Sequence, residues 1–185
     1  MNDLTLLPPD LPVPVDDGVC MHLVGQRLPD LAFTSTSGDS VNLAHISGWI
    51  VVFCYPMTGR PDTPLPDGWN AIPGARGCTP QACAFRDDDH AFQAIQVQVY
   101  GLSAQSNADQ REAAHRLHLP FPLLSDPDLQ LASALELPTF DIDGLRLYKR
   151  QTLIVKDGLI RHNIYPVFPP NQNSADVLAW LKAHH

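Results

Sequence analysis

The sequence predicts an α/β domain in which a central mixed β-sheet is flanked by helices, and three observations predict it. Strand-length apolar runs alternate with amphipathic stretches of helical period through the middle of the chain. Two further strand-like runs meet across Asp157-Gly158, a strong hairpin signal. A helical pattern then closes the chain. With 185 residues the chain has the length of one domain that buries a substantial core.

Residues 31–34 read as a short strand, Ser37-Gly38-Asp39-Ser40 as a turn, and residues 41–43 as a second short strand. Residues 49–55 are apolar throughout, which suits a central strand covered on both faces. Residues 78–94 read as a helix, with Ala82, Phe85, Phe92 and Ile95 on or near one stripe. A strand is expected over 97–103. A helix over 107–117 turns Asp109, Arg111, Glu112 and Arg116 outward. A strand over 121–125 and a short helix over 129–135 follow. The hairpin pairs residues 151–156 with 159–163. The last helix spans 174–183, with Ser174 as its N-cap and Val177, Leu178 and Leu181 on one face. The order β-α-β-α-β, hairpin, helix is that of a thioredoxin-like fold.

Two segments have no period. Residues 1–24, rich in Pro, Asp and Leu at their start, are expected to form an extended N-terminal arm on a domain of residues 25–185. Residues 57–76 are dense in Pro and Gly, and a loop of this length inside a compact domain is functional or an insertion.

Composition narrows the function. The net charge of -8 disfavours nucleic acid and anionic membrane as partners, and no apolar run is long enough to span a bilayer. The first residues lack the basic and apolar regions of a secretory leader, so the expected compartment is the cytoplasm. Four cysteines are too few for a disulfide scaffold, and a close pair in a reducing compartment is more often catalytic or metal-binding. None of the eight histidines stands at zinc-ligand spacing to that pair, so no metal or other cofactor is expected.

The chemistry points to Gly77-Cys78-Thr79-Pro80-Gln81-Ala82-Cys83, which follows a strong strand and a loop and opens a helix. A thiol there meets unpaired backbone N–H groups and the positive end of the helix dipole. Both favour the thiolate, the reactive species. Arg76 and Arg86 lie nearby in sequence and add cationic character. Cys54, in the apolar strand, and Cys20, in the arm, read as structural.

The stretch GCTPQACAFRD resembles the active site of the Q-type peroxiredoxins, or bacterioferritin-comigratory proteins. LPFPLLSDPD and Arg150-Gln151-Thr152-Leu153-Ile154-Val155 resemble two further segments of that family, in the same order. The resemblance implies a thiol peroxidase acting on hydrogen peroxide or organic hydroperoxides. Cys78 would be the peroxidatic cysteine, Cys83 the resolving cysteine, and Arg150 the arginine that holds the thiolate and polarises the peroxide. Gly77 would help bind the peroxide through backbone N–H groups, with Pro56 and Thr58 reaching the site from the start of the loop. A thioredoxin-like dithiol would regenerate the enzyme, and the assembly would be a monomer or weak homodimer.

Residues five apart on an intact helix do not readily form a disulfide, so this pairing requires the first helical turn to unwind. The chain also departs from the family pattern. Ala75 stands three before Cys78 where Thr or Ser is usual, Ala71 stands seven before where Pro is usual, and the loop is longer by about fifteen residues. A redox-regulated sensor on the same fold is the alternative reading. A general disulfide reductase would use C-x-x-C, which is absent.

Overall fold

Strand β3 (Trp49–Cys54) is buried along its whole length, which its unbroken Trp-Ile-Val-Val-Phe-Cys run requires. The computed structural model describes Leu4 and residues 6–184, and β3 is the axis of its main sheet. Preceding it are β1 (Ala32–Ser35) and β2 (Ser40–Asn42), an antiparallel pair. After it come α1 (Cys78–Asp87), α2 (Asp89–Ala94), β4 (Val97–Ser103), α3 (Asn107–Arg116), β5 (Leu123–Ser125) and α4 (Gln130–Leu135). A separate hairpin, β6 (Thr139–Ile142) and β7 (Leu145–Tyr148), leads to β8 (Gln151–Lys156), β9 (Leu159–Ile164) and α5 (Asn173–His184).

The seven-stranded sheet has the order β2-β1-β5-β4-β3-β8-β9. β3 pairs parallel with β4 and antiparallel with β8, so the sheet is mixed, as expected. Alternation along β3 divides the core. Ile50, Val52 and Cys54 face one cluster with Leu131 and Leu135 of α4, and Cys20 and Leu23 of the arm also lie there. Val51, Phe53 and Tyr55 face the other with Phe85 of α1, Phe92 of α2, Ala113 of α3, and Val177, Leu178 and Leu181 of α5.

The expected helix over 78–94 is two helices. The chain breaks at Asp88, in a run of three aspartates that are poor helix-interior residues, and Asp88 Oδ2 accepts from Ser174 Oγ at 2.7 Å. Ser174 lies inside α5, which starts at Asn173, and its hydroxyl is engaged with Asp88, so it is not the cap. The sequence reading also missed β6 and β7. Their turn, Asp143-Gly144, has φ of 48° and 75°, the same left-handed pair that Asp157-Gly158 adopts at 50° and 74°. Among the described residues no helix is long and apolar enough to cross a membrane.

Gly101, in the middle of β4, sets the depth at which α1 sits. A Cβ there would lie 2.5 Å from Leu123 Cδ2 and 2.7 Å from Phe53 Cζ. Phe53 in turn stacks on Phe85 of α1, with ring centroids 4.6 Å apart and planes 7° from parallel. Gly101→Ala is therefore expected to lower stability by about 1–3 kcal/mol in urea unfolding, because neither ring nor leucine has room to give.

Candidate active site

Cys78 is the first residue of α1, and Gly77 before it is the reason the helix starts there. Gly77 has φ of 105°, a conformation L side chains rarely adopt. A Cβ at that position would collide with Pro170 and lie 2.8 Å from Leu7 Cδ2. Gly77 O accepts the first helical bond, from Gln81 N at 3.0 Å, and the amides of the first turn face outward from the helix end. Cys78 is 5% exposed. Its Sγ donates to Ala75 O at 3.6 Å and accepts from Arg150 Nη2 at 3.1 Å.

Arg150, directly before β8, is buried and uses its guanidinium in every direction. Nε donates to Gly74 O at 3.2 Å, and Nη2 donates to Ala75 O at 3.1 Å and Arg76 O at 3.3 Å as well as to Cys78 Sγ. Nη1 donates to Gln81 Oε1. The planar fork thus ties the end of the long loop to the Cys78 end of α1, which a lysine ammonium does not reproduce. Since Oε1 of Gln81 faces the cation, its Nε2 faces Asn173 and donates to Oδ1 at 2.9 Å. Thr152 Oγ1 donates to the same oxygen at 2.7 Å. Gln81, Thr152 and Asn173 are all fully buried. Gln81, three residues past Cys78 and so one turn along the helix, was detectable by spacing. Asn173 and Thr152 carried no signal, because only the tertiary fold brings α5 and β8 to Gln81.

Cys83 lies further along α1, half-buried, and all four cysteines are free thiols. Five residues correspond to a rise of about 7.5 Å and a turn of roughly 140° beyond one revolution, so the two thiols occupy different sides of an intact helix. Burial raises the Cys83 thiol above its ordinary value of 9.0, while Arg86 and Arg116 pull it back down. Burial likewise pushes Cys20 up to about 11 and raises Cys54, which keeps both as protonated core side chains. Cys20 Sγ donates to Gln151 Oε1 at 3.4 Å.

Of the loop residues, Pro56 and Thr58 are buried, but the space over Cys78 is lined by Met57 and Gly59. The Thr58 hydroxyl donates to Gln105 Oε1 at 3.1 Å, away from that space. Ala75 is fully buried and packs in a small cluster with Trp69 and Leu147, and Ala71 is exposed. Arg76 lines the space over Cys78, whereas Arg86 Nη1 donates to Leu117 O at 2.9 Å on the far part of the helix. Among the described residues no group of three or more His, Cys, Asp or Glu converges to hold a metal ion. Gln81→Leu strips Arg150 and Asn173 of partners, and is expected to cost about 1–3 kcal/mol by urea unfolding.

Comparison with known proteins adds three findings. Residues 70–163 match the AhpC/TSA family. The chain is 30% identical over 161 residues to the chloroplastic peroxiredoxin Q of Arabidopsis thaliana, covering 86% of this chain and 67% of the relative. It is 29% identical to the peroxiredoxin Q of Oryza sativa subsp. japonica, of which it spans 66% of the length. The solved structure of peroxidoxin BcpB from Mycobacterium tuberculosis superimposes with a TM-score of 0.72 at 24% identity, covering 88% of this chain and 97% of that one, and so shares its fold.

Proposed function

The chain belongs to the AhpC/TSA family as a Q-type peroxiredoxin, and on that premise we propose that it is a thiol peroxidase whose peroxidatic residue is Cys78. One observation carries the reading: Cys78 Sγ, buried at the N-terminus of α1, sits 3.1 Å from the Arg150 guanidinium. A thiolate there is held by a cation and by the dipole of the first turn. The same donors face the peroxide oxygen that takes on negative charge.

In the first step the Cys78 sulfur forms a bond to one peroxide oxygen and the O–O bond breaks. The other oxygen leaves with the electron pair as hydroxide or alkoxide and is protonated to water or an alcohol. Sulfur is oxidised to a sulfenic acid and the peroxide is reduced. Arg150 stabilises both the thiolate and the departing oxygen, and the amides at Gly77 and Cys78 complement it. Pro56, buried just past β3, and Thr58, through its bond to Gln105, fix the start of the loop.

In the second step Cys83 attacks the sulfenic acid. An S–S bond forms, the S–O bond breaks, and the oxygen leaves as water. The first turn of α1 unwinds to bring the sulfurs together, helped by Pro80, which leaves one backbone N–H fewer to satisfy. A thioredoxin-like dithiol then reduces the disulfide by exchange, itself becoming oxidised. A reducing cytoplasm supplies such a partner. No cofactor enters this cycle. In this reading residues 25–185 form the catalytic domain, and Cys20 and Leu23 of the preceding arm pack into its core.

Steady-state peroxide consumption, coupled to thioredoxin and its reductase, tests this. Cys78→Ser is expected to fall to background, and Cys83→Ser to stop after one equivalent of peroxide. Wild-type turnover no faster than that of a free thiol would contradict the peroxidase reading and leave a redox switch.

Cys83 also sets a pH dependence. Its thiol is raised above 9.0, so at pH 7 the attacking thiolate is a small fraction that grows as pH rises. Single-turnover disulfide formation is therefore expected to accelerate as pH rises from 7 to 9, by at most about tenfold per unit. A flat profile would contradict thiolate attack by Cys83 as the limiting step.

A further inference from the structure

The space over Cys78 is narrow and open on one side. It is bounded by Leu4 of the arm, by Met57, Gly59, Leu65 and Trp69 of the long loop, and by the start of α1. Its volume is about 10 Å³. That is room for roughly one water molecule. The covering loop is fastened from behind. Trp69 is 3% exposed, clusters with Ala75 and Leu147, and lies 6.1 Å from the Phe140 ring of the β6–β7 hairpin.

The loop is also clamped to α3 and the segment before it. Thr58 N donates to Gln105 Oε1 at 2.8 Å, Gln105 Nε2 donates to Thr58 O at 3.1 Å, and Arg116 Nη2 donates to Gly59 O at 3.0 Å. Arg60 pairs with Asp109 at 2.6 Å. At the mouth, a Cβ on Gly59 would lie 3.0 Å from Leu65 Cδ2 and 3.2 Å from Leu4 Cδ2, so both side chains lie close over the Gly59 backbone.

From this geometry we propose that Leu65 and Trp69 determine specificity by size, admitting hydrogen peroxide and rejecting hydroperoxides on bulky alkyl or aryl carbons. The inference rests on the peroxidase reading and narrows its substrate class. Hydrogen peroxide has two heavy atoms, and its second oxygen needs only a small outward shift of the Leu65 side chain. A tertiary or aryl-substituted hydroperoxide places a branched carbon next to the reacting oxygens, where the indole and Leu65 stand. The walls combine the apolar side chains of Leu4, Met57, Leu65 and Trp69 with Arg76 and Thr79. What excludes it is the narrowness of the space beside the buried Trp69 indole, which is held by Ala75 and Leu147.

The test compares oxidation of Cys78 by hydrogen peroxide and by cumene hydroperoxide, under dithiothreitol regeneration, in wild type, Leu65→Ala and Trp69→Ala. The readout is the ratio of kcat/KM for the two peroxides in one preparation, which is insensitive to any fraction of unfolded protein. Leu65→Ala, at a half-buried position, keeps the test valid if Trp69→Ala folds poorly. Wild type is expected to prefer hydrogen peroxide by about 100-fold or more, and each variant to narrow that ratio by roughly tenfold. Wild-type rates within a few-fold of each other, or an unchanged ratio in both variants, would overturn the size filter while leaving the peroxidase reading intact. Failure of both peroxides to oxidise Cys78 would overturn the peroxidase reading, and the filter with it.

Discussion

The Arg150 guanidinium is the constraint on which the rest of the site depends. It is one buried cation that satisfies carbonyls at Gly74, Ala75 and Arg76, the amide oxygen of Gln81, and the sulfur of Cys78. A buried cation persists only when it is richly hydrogen-bonded, so these partners are as necessary to Arg150 as it is to them. The same group therefore has two consequences. It ends the long loop at a defined place, and it gives the thiol a positive neighbour at the position where the helix dipole also points.

The fold prepares this arrangement from the sheet outward. β3 and β8 are neighbours, so the end of one and the start of the other come together beneath the start of α1. The Phe53–Phe85 stack holds α1 at its depth, and Gly101 leaves the space that the Phe53 ring occupies. On the far side Asn173, at the first turn of α5, holds Gln81 and Thr152 together. The LPFPLLSDPD segment has a structural part in this plan. Asp126 is fully buried and accepts from Tyr148 Oη, Gln130 N at 2.8 Å and Leu131 N at 2.9 Å, so its carboxylate anchors the start of α4.

What was legible in the sequence was legible for local reasons. β4 and β8 have the bounds expected from their apolar runs, and the Asp157-Gly158 turn is where its dipeptide placed it. The start of α1 at Cys78 was readable because Gly-Cys-Thr-Pro is itself a helix start. What escaped was set by distant partners. The break at Asp88 depends on Ser174, and the β6–β7 hairpin is only partly buried, so its pattern is weak despite the Asp143-Gly144 turn. The loop offered no period to read. Its course follows from Trp69 finding Phe140 and from Thr58 finding Gln105, contacts between segments far apart in the chain.

The loop and the arm leave only a narrow space over the Cys78 thiol, on a framework that otherwise follows its family, and in the proposed cycle an intact α1 and disulfide formation oppose each other. Cys78 is most protected when α1 is intact, whereas pairing with Cys83 requires its first turn to open. Peptide mapping by mass spectrometry after one equivalent of hydrogen peroxide, with free thiols blocked before digestion, tests this most directly. The account predicts a single cross-linked peptide joining Cys78 to Cys83, with Cys20 and Cys54 recovered as blocked thiols. Recovery of Cys83 as a free thiol beside an oxidised Cys78, or a cross-link involving Cys20 or Cys54, would contradict it.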